Sequence, residues 1–140
     1  NSHARFKEFV MPFIVISPPG TDEALAEEGK KILEAVASFG HSLNVEDFLH
    51  AWIRGIRVVA ETDSSGKYIG IAFVMMGDRW LFNDKAVSVL LSFIEDKAGF
   101  IQFLRSIASA IGASKLIYED RILEKTDAEI TWAVKEITIG

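Results

Sequence analysis

Residues 56–76 decide the fold, and they read IRVVAET (56–62), DSSG (63–66) and KYIGIAFVMM (67–76). The first segment alternates apolar and polar residues as a half-buried strand does. The second has the Asp, Ser and Gly residues of a tight turn, and the third runs back as another strand. This pattern predicts an antiparallel hairpin. Because the second strand is apolar on both faces, we expect it to lie in the middle of a sheet, covered above and below.

The chain before the hairpin predicts one strand and two helices. Residues 9–16 are apolar and β-branched and are followed by Pro18 and Pro19, which is typical of a short strand; Pro12 favours an edge or a strand start. Thr21 is suited to cap an amphipathic helix that ends near Gly40. Asn44 is suited to cap a second helix, closed by Gly55.

The chain after the hairpin predicts alternating strands and helices. Residues 79–85 are compatible with a strand extension or with a loop. Trp80 and Phe82 of this segment are predicted to lie in the core; if both are exposed, they mark a contact surface. Residues 86–94 predict a buried strand, although periodicity alone leaves a helix open. The further predicted elements are a helix from Phe100 to Ile111, a strand over 115–118, a helix over 120–132 and a last strand over 137–139.

These elements predict a single α/β (α+β) domain over residues 1–140. Their order is β-α-α-β-β-β-α-β-α-β, which gives a mixed, mostly antiparallel sheet with helices on both faces. Residues 1–8 are left out of the domain core as a disordered or tag-derived extension.

Composition excludes several classes of protein. The chain has 140 residues, is 49% hydrophobic and carries a formal charge of −5, so it is a globular domain and not a general nucleic-acid or anionic-membrane binder. The absence of cysteine removes disulfides and thiolate chemistry. No apolar run reaches the roughly 18–20 residues that a spanning helix needs. The three histidines, His3, His41 and His50, are too scattered for a metal site, and we expect a cytoplasmic protein without a metal.

The element order resembles the GNAT fold of acetyl-coenzyme-A-dependent N-acetyltransferases over nearly the whole chain. The resemblance implies that the fourth strand ends in a phosphate-binding loop at the start of the next helix, here residues 92–100. Backbone N–H groups of Lys97, Ala98 and Gly99 would hold the pyrophosphate of acetyl-CoA. The backbone of residues 90–93, with Leu90, Leu91 and Phe93 as named contacts, would hold the pantetheine arm between the strands 86–94 and 115–118.

The same segment departs from the family pattern. It has one glycine, Gly99, where the family usually has two small residues, and Glu95 and Asp96 lie where anionic phosphates would approach. The alternative interpretation, which these residues favour, is an ordinary strand-to-helix turn that uses Gly99 for backbone freedom. The chain therefore resembles the degenerate GNAT-like domains, some of them viral, that keep the fold without a clear enzymatic role.

Three side chains are candidates for proton transfer. Glu61 and Glu95 follow buried strands, and either is a candidate general base for an incoming amine. Tyr118 is the candidate general acid, although it lies inside a predicted strand. The alternative for the two carboxylates is a solvated strand end, and for Tyr118 a buried structural position.

Two functions follow from the resemblance. The first is transfer of an acetyl group from acetyl-CoA to a small-molecule or peptide amine, by direct attack without a covalent enzyme intermediate. The second is a non-catalytic GNAT-like module that binds a protein partner, as a viral accessory or virion protein. The predicted sheet has one strand fewer than typical members, which leaves an open edge and predicts a homodimer.

Overall fold

The computed structural model describes residues 12–123 and 130–139, and these form one sheet and three helices. The strands are β1 (Phe13–Ile16), β2 (Arg57–Thr62), β3 (Tyr68–Arg79), β4 (Asp84–Phe93), β5 (Lys115–Leu123) and β6 (Ile130–Thr138). The helices are α1 (Asp22–Ala37), α2 (Val45–Arg54) and α3 (Lys97–Ile111). The predicted strand over residues 9–16 is present from Phe13 on, and its first residues lie outside the described part.

The sheet has the order β1-β2-β3-β4-β5-β6, and every neighbouring pair is antiparallel except β4 and β5, which are parallel. The hairpin of β2 and β3 is confirmed. Its turn is held by the Asp63 carboxylate, whose Oδ1 accepts hydrogen bonds from the backbone N–H and the hydroxyl of Ser65 and from the N–H of Lys67. β3 lies between β2 and β4, in the middle of the sheet as its two apolar faces predict.

The helices begin and end where local chemistry satisfies their terminal backbone groups. Thr21 and Asn44 cap α1 and α2, and their side chains accept hydrogen bonds from the N–H groups of Ala24 and Asp47. Gly112 ends α3 in the left-handed conformation, with φ of 74°.

The helices cover both faces of the sheet, as predicted. On one face, Ile32 and Val36 of α1 and Phe48 and Trp52 of α2 form a buried cluster with alternate residues of β2 and β3. On the other face, a second cluster contains α3 residues and the opposite set of strand residues: Phe100, Leu104, Ala108, Val59, Ala72, Val74, Val87 and Leu116. Period-two alternation along β2 and β3 therefore supplies two cores.

The predicted helix over residues 120–132 is wrong. Its first residues belong to β5 and its last to β6, and the two strands pair antiparallel from Lys115↔Thr138 to Leu123↔Ile130; residues 124–129 lie outside the described part. A short apolar pattern suits either structure, and pairing between segments distant in sequence decides between them. Of the predicted last strand over 137–139, residues 137 and 138 are the end of β6, which starts at Ile130.

In the segment left open at 79–85, Arg79 ends β3, Asp84 begins β4 and residues 80–83 form a tight turn whose aromatic residues are outside the core. Trp80, Leu81 and Phe82 are 83%, 73% and 67% exposed, so the core interpretation of Trp80 and Phe82 is wrong. The Arg79 guanidinium donates two hydrogen bonds to the Asp84 carboxylate, at 2.7 and 2.6 Å, and lies 4.4 Å from the centroid of the Phe82 ring. The turn tip is thus a fixed apolar protrusion.

Candidate functional site

The parallel pair β4 and β5 separates halfway along its length. The two strands are paired from Ala86↔Lys115 to Ser88↔Ile117, and the pairing ends there although β4 continues to Phe93 and β5 to Leu123. Among the described residues no other strand pairs with this side of β4 beyond Ser88. The backbone N–H and C=O groups on this side of β4 beyond Ser88 therefore have no strand partner among the described residues.

A β-bulge lies next to the point where the strands part. Phe73 of β3 pairs with Leu91 and Val74 pairs with Val89, so Leu90 is the extra residue on β4. Tyr118 is the first residue of β5 beyond the paired part, and it stands at the closed end of the gap. Leu90 is 51% exposed, and the Tyr118 side chain is half-buried against the α3 cluster.

Glu61 and Glu95, which the sequence suggests as alternative bases, are brought together. The Glu61 side chain is buried, and its Oε1 accepts a hydrogen bond of 3.0 Å from the backbone N–H of Glu95. Gly70 on β3 makes room for it, because a Cβ there would lie 2.9 Å from Glu61 Oε1 and 2.8 Å from the carbonyl oxygen of Phe93. Glu61 thus fixes the start of the β4–α3 connection, while the Glu95 side chain is exposed.

The N-terminus of α3 is capped by one of the chain's own carboxylates. Asp96 is the N-cap residue, and its Oδ1 accepts a hydrogen bond of 2.9 Å from Gly99 N–H. Of the three residues predicted to hold a pyrophosphate, Lys97 and Ala98 occupy the first two helical positions, whose N–H groups have no acceptor within the helix. The N–H group of the third, Gly99, is already bonded.

A groove of about 980 Å³ opens on the α1 face at this same end of the sheet. Its lining includes side chains of both charges and two aromatic rings: Lys31, Glu34, Phe39, Lys67, Tyr68 and Glu95. The Tyr68 hydroxyl donates a hydrogen bond to Glu28, and burial, followed by this hydrogen bond, raises the pKa of Tyr68 above its ordinary value. Tyr68 therefore stays a neutral donor throughout the physiological pH range.

The site residues suggested by the sequence fall on two faces. Leu91 and Phe93 pack against the cluster of α1 and α2, whereas Tyr118 packs against the cluster of α3. The sequence analysis missed the cap by Asp96, the space provided by Gly70 and the groove with Tyr68. An Asp three residues before Gly99 is a recognisable capping signal, but the other two depend on contacts across the sheet.

The described residues contain neither a metal-binding cluster nor a membrane-spanning helix. In residues 12–123 and 130–139 no group of three or more His, Asp or Glu side chains is arranged to hold a metal ion. None of the three helices in this part of the chain is long and apolar enough to cross a membrane.

Comparison with solved structures identifies the fold. The chain is similar to a probable acetyltransferase (11% identity, 83% of each chain covered, TM-score 0.56). It is also similar to a ribosomal-protein-alanine N-acetyltransferase from Brucella melitensis biovar Abortus (11% identity, 76% of this chain and 78% of that chain, TM-score 0.55). A third similar structure is an aminoglycoside acetyltransferase from an uncultured soil metagenomic sample (13% identity, 82% of each chain, TM-score 0.53).

Comparisons of sequence alone give no relative. No protein-family model matches the chain, and no curated protein matches it significantly. The structural similarity nevertheless covers about four-fifths of the chain, and it confirms the GNAT fold that the element order predicts. The chain thus has the fold of the GNAT acetyltransferases.

Proposed function

We propose that the protein is an N-acetyltransferase that moves an acetyl group from a thioester of the acetyl-CoA type to an amine. The observation that carries the proposal is the gap between β4 and β5, which begins beyond Ser88 and Ile117 in a pair of strands that both continue. Backbone groups that lose a strand partner form hydrogen bonds with water or with a ligand instead. A narrow arm with amide groups, such as pantetheine, can take the place of the missing strand partner.

The residues of the gap are better suited to bind the pantetheine arm of acetyl-CoA than its phosphate groups. Residues 89–93 of β4 offer backbone groups in an extended conformation, and the exposed Leu90 offers apolar contact. At the α3 N-terminus, Lys97 and Ala98 offer two backbone N–H groups, but the ionised Asp96 and Glu95 side chains would repel a pyrophosphate. Leu90, Leu91 and Phe93 are therefore the stronger part of the binding proposal, and Lys97 to Gly99 the weaker.

A thioester supplies an activated acetyl carbon, and the chain's own residues have to position the amine and move one proton. In the transfer, a C–N bond forms, the C–S bond breaks, the amine loses a proton and the departing sulfur gains one. Glu95 lines the groove on the α1 face, where an amine acceptor would lie, and its exposed carboxylate is the proposed base. Tyr118, at the closed end of the gap, is the proposed donor to the sulfur, and Glu61 is a positioning residue for Glu95.

Isothermal titration calorimetry with acetyl-CoA and with S-acetyl-pantetheine tests the proposal. A ligand at 100 times its dissociation constant adds about 2.7 kcal/mol to the free energy of unfolding, so the melting temperature should rise in parallel. Tyr118→Phe removes only the hydroxyl group and should slow transfer to a primary amine without weakening binding. Ser106→Ala, which removes an exposed hydroxyl group of α3 outside the groove and the gap, is the control. Absence of binding by both thioesters at millimolar concentration would overturn the proposal.

A second candidate function is favoured by the exposed tip of the β3–β4 turn. Trp80, Leu81 and Phe82 form an apolar protrusion that the Arg79–Asp84 ion pair holds in place, and such side chains are enriched in protein interfaces. As a non-catalytic module, the domain would bind a protein partner or a second copy through this tip. Replacing Trp80 and Phe82 together by alanine should then leave folding intact and abolish the complex or oligomer, measured by sedimentation velocity.

A further inference from the structure

The connection between β4 and α3 is filled by the chain's own carboxylates. Asp96 Oδ1 accepts the Gly99 N–H at 2.9 Å, and Glu61 Oε1 accepts the Glu95 N–H at 3.0 Å. Both acceptors are acidic side chains, and hydrogen bonds from backbone N–H groups to carboxylates are stronger than those to neutral oxygens. Of the three N–H groups predicted to hold a pyrophosphate, that of Gly99 is thus already bonded, and the neighbouring N–H of Glu95 is bonded as well.

Gly99 provides space for the Asp96 side chain. A Cβ built on Gly99 would lie 2.2 Å from Asp96 Oδ2 and 2.8 Å from its Cγ, which is closer than real Cβ atoms approach other atoms. A glycine at the start of this helix is therefore explained by the chain's own cap. The glycine that the sequence suggests for close approach of a pyrophosphate is in contact with a carboxylate instead.

The charges around the helix start also oppose a pyrophosphate. The side chains of Glu95 and Asp96 are both exposed there and Lys97 is the one cation among residues 94–100, so the segment carries a net charge of 1 − 2 = −1. The helix dipole favours an anion at this end, and Asp96 already meets that preference. A diphosphate would have to displace Asp96 and then lie beside it.

From these contacts we propose that the protein recognises its donor through the pantetheine arm, and that the nucleotide part of coenzyme A contributes little to affinity. The proposal rests on the proposed acetyltransferase function. The substrate class is acyl-pantetheine thioesters, held by the unpaired half of β4, with or without a nucleotide. Asp96 acts as the specificity-determining residue, because its carboxylate occupies the place of the pyrophosphate.

Calorimetric titration of the full chain with two probes tests this specificity. For the unchanged protein, the dissociation constants of acetyl-CoA and S-acetyl-pantetheine should agree within about threefold. Asp96→Gly frees the Gly99 N–H and removes the negative charge. It should lower the dissociation constant of acetyl-CoA about tenfold or more and leave that of S-acetyl-pantetheine unchanged. Asp96→Asn keeps the cap but removes the charge, and should give a smaller gain for acetyl-CoA alone.

Matched controls separate specificity from loss of a helix cap. Asn44→Gly removes the corresponding cap of α2 and should change neither dissociation constant, and the melting temperature of each variant reports folding. If the unchanged protein binds acetyl-CoA about tenfold or more tightly than S-acetyl-pantetheine, the inference is wrong and the proposed function stands. Unchanged acetyl-CoA binding in both folded Asp96 variants would also overturn it. If neither probe binds any variant, the acetyltransferase proposal itself fails, and the inference fails with it.

Discussion

The two halves of β4 differ in how their hydrogen bonds are used. From Asp84 to Ser88 the strand has β3 on one side, and from Ala86 to Ser88 it also has β5 on the other. From Val89 to Phe93 it keeps β3 alone, with a bulge at Leu90. The first half is a central strand of the sheet, and the second half presents an edge inside the fold.

The chain segments at the two ends of β4 also differ in the hydrogen bonds that hold them. At the paired end, Lys85 contributes to the packing through its carbonyl oxygen, which accepts the N–H of Ser114, and through its ammonium group, which donates to the carbonyl oxygen of Ile111. At the open end, the contacts are single hydrogen bonds from Glu95 and Gly99 to carboxylates. The fold thus places its stable packing at one end of β4 and leaves backbone groups for a ligand at the other.

The largest difference in the free energy of unfolding is expected between two Leu→Ala substitutions, one at the paired half and one at the open half. Leu116 of β5 is fully buried beside Val87 in the paired half, so Leu116→Ala should lower the free energy of unfolding by about 2–5 kcal/mol. Leu90 is half-exposed in the open half, and Leu90→Ala should cost about 0.5 kcal/mol or less. Urea unfolding measures both values. Equal losses would show that the two halves are packed alike.

A glycine substitution tests whether Glu61 needs the space at the open end. Gly70→Ala places a Cβ 2.8 Å from the Phe93 carbonyl oxygen and 2.9 Å from Glu61 Oε1. Overpacking of this kind should lower the free energy of unfolding by about 1–3 kcal/mol. Gly20→Ala is the control, because nothing lies within 4 Å of a Cβ there. If urea unfolding gives the same stability for both variants, the close packing of Glu61 against Gly70 is not present.

The smallest effect is expected at the Arg79–Asp84 ion pair of the paired end. The hydrogen bond from Arg79 holds the pKa of Asp84 below its ordinary value of 3.8. A carboxyl group with a lowered pKa in the folded state stabilises the protein above its unfolded-state pKa, and this contribution is lost as the pH falls through the folded-state value. Asp84→Asn should therefore be slightly less stable than the unchanged protein at pH 7, and the difference should shrink as the pH falls below 3.8 and through the lowered pKa of Asp84.

Thermal unfolding at a series of pH values measures this difference. Because both side chains are partly exposed, added salt should reduce it. A difference that persists or grows at acidic pH would contradict the assigned ion pair.

The sequence predicts the fold well where a pattern depends on neighbouring residues. The hairpin around Asp63, the capped helices α1 and α2 and the strand before α3 follow from local periodicity and turn chemistry, although only Ala86 and Val87 of that strand are buried. The prediction for 120–132 fails because its short apolar pattern fits a helix, whereas residues 121–123 of β5 pair with residues 130–132 of β6. Trp80 and Phe82 fail for a related reason, since hydrophobicity alone does not reveal that a turn leaves side chains without neighbours.

The candidate site is less predictable than the fold. Glu61 and Glu95 can be suggested as strand-end carboxylates, but their shared hydrogen bond arises across β3, 34 residues apart in sequence. The need for a glycine at position 70 becomes clear only from the structure, in which the Glu61 side chain packs against Gly70. The pairing between β4 and β5 ends beyond Ser88 because of how the two strands lie together, and the sequence of neither strand predicts it.

Backbone amide chemical shifts during titration with S-acetyl-pantetheine test the central claim, that the gap beyond Ser88 and Ile117 receives the donor arm. The account predicts saturable changes at Val89 to Phe93 and at Tyr118, with the amides of Trp80 to Asn83 unchanged. Saturable changes confined to the Trp80 turn, or none at millimolar ligand, would contradict it.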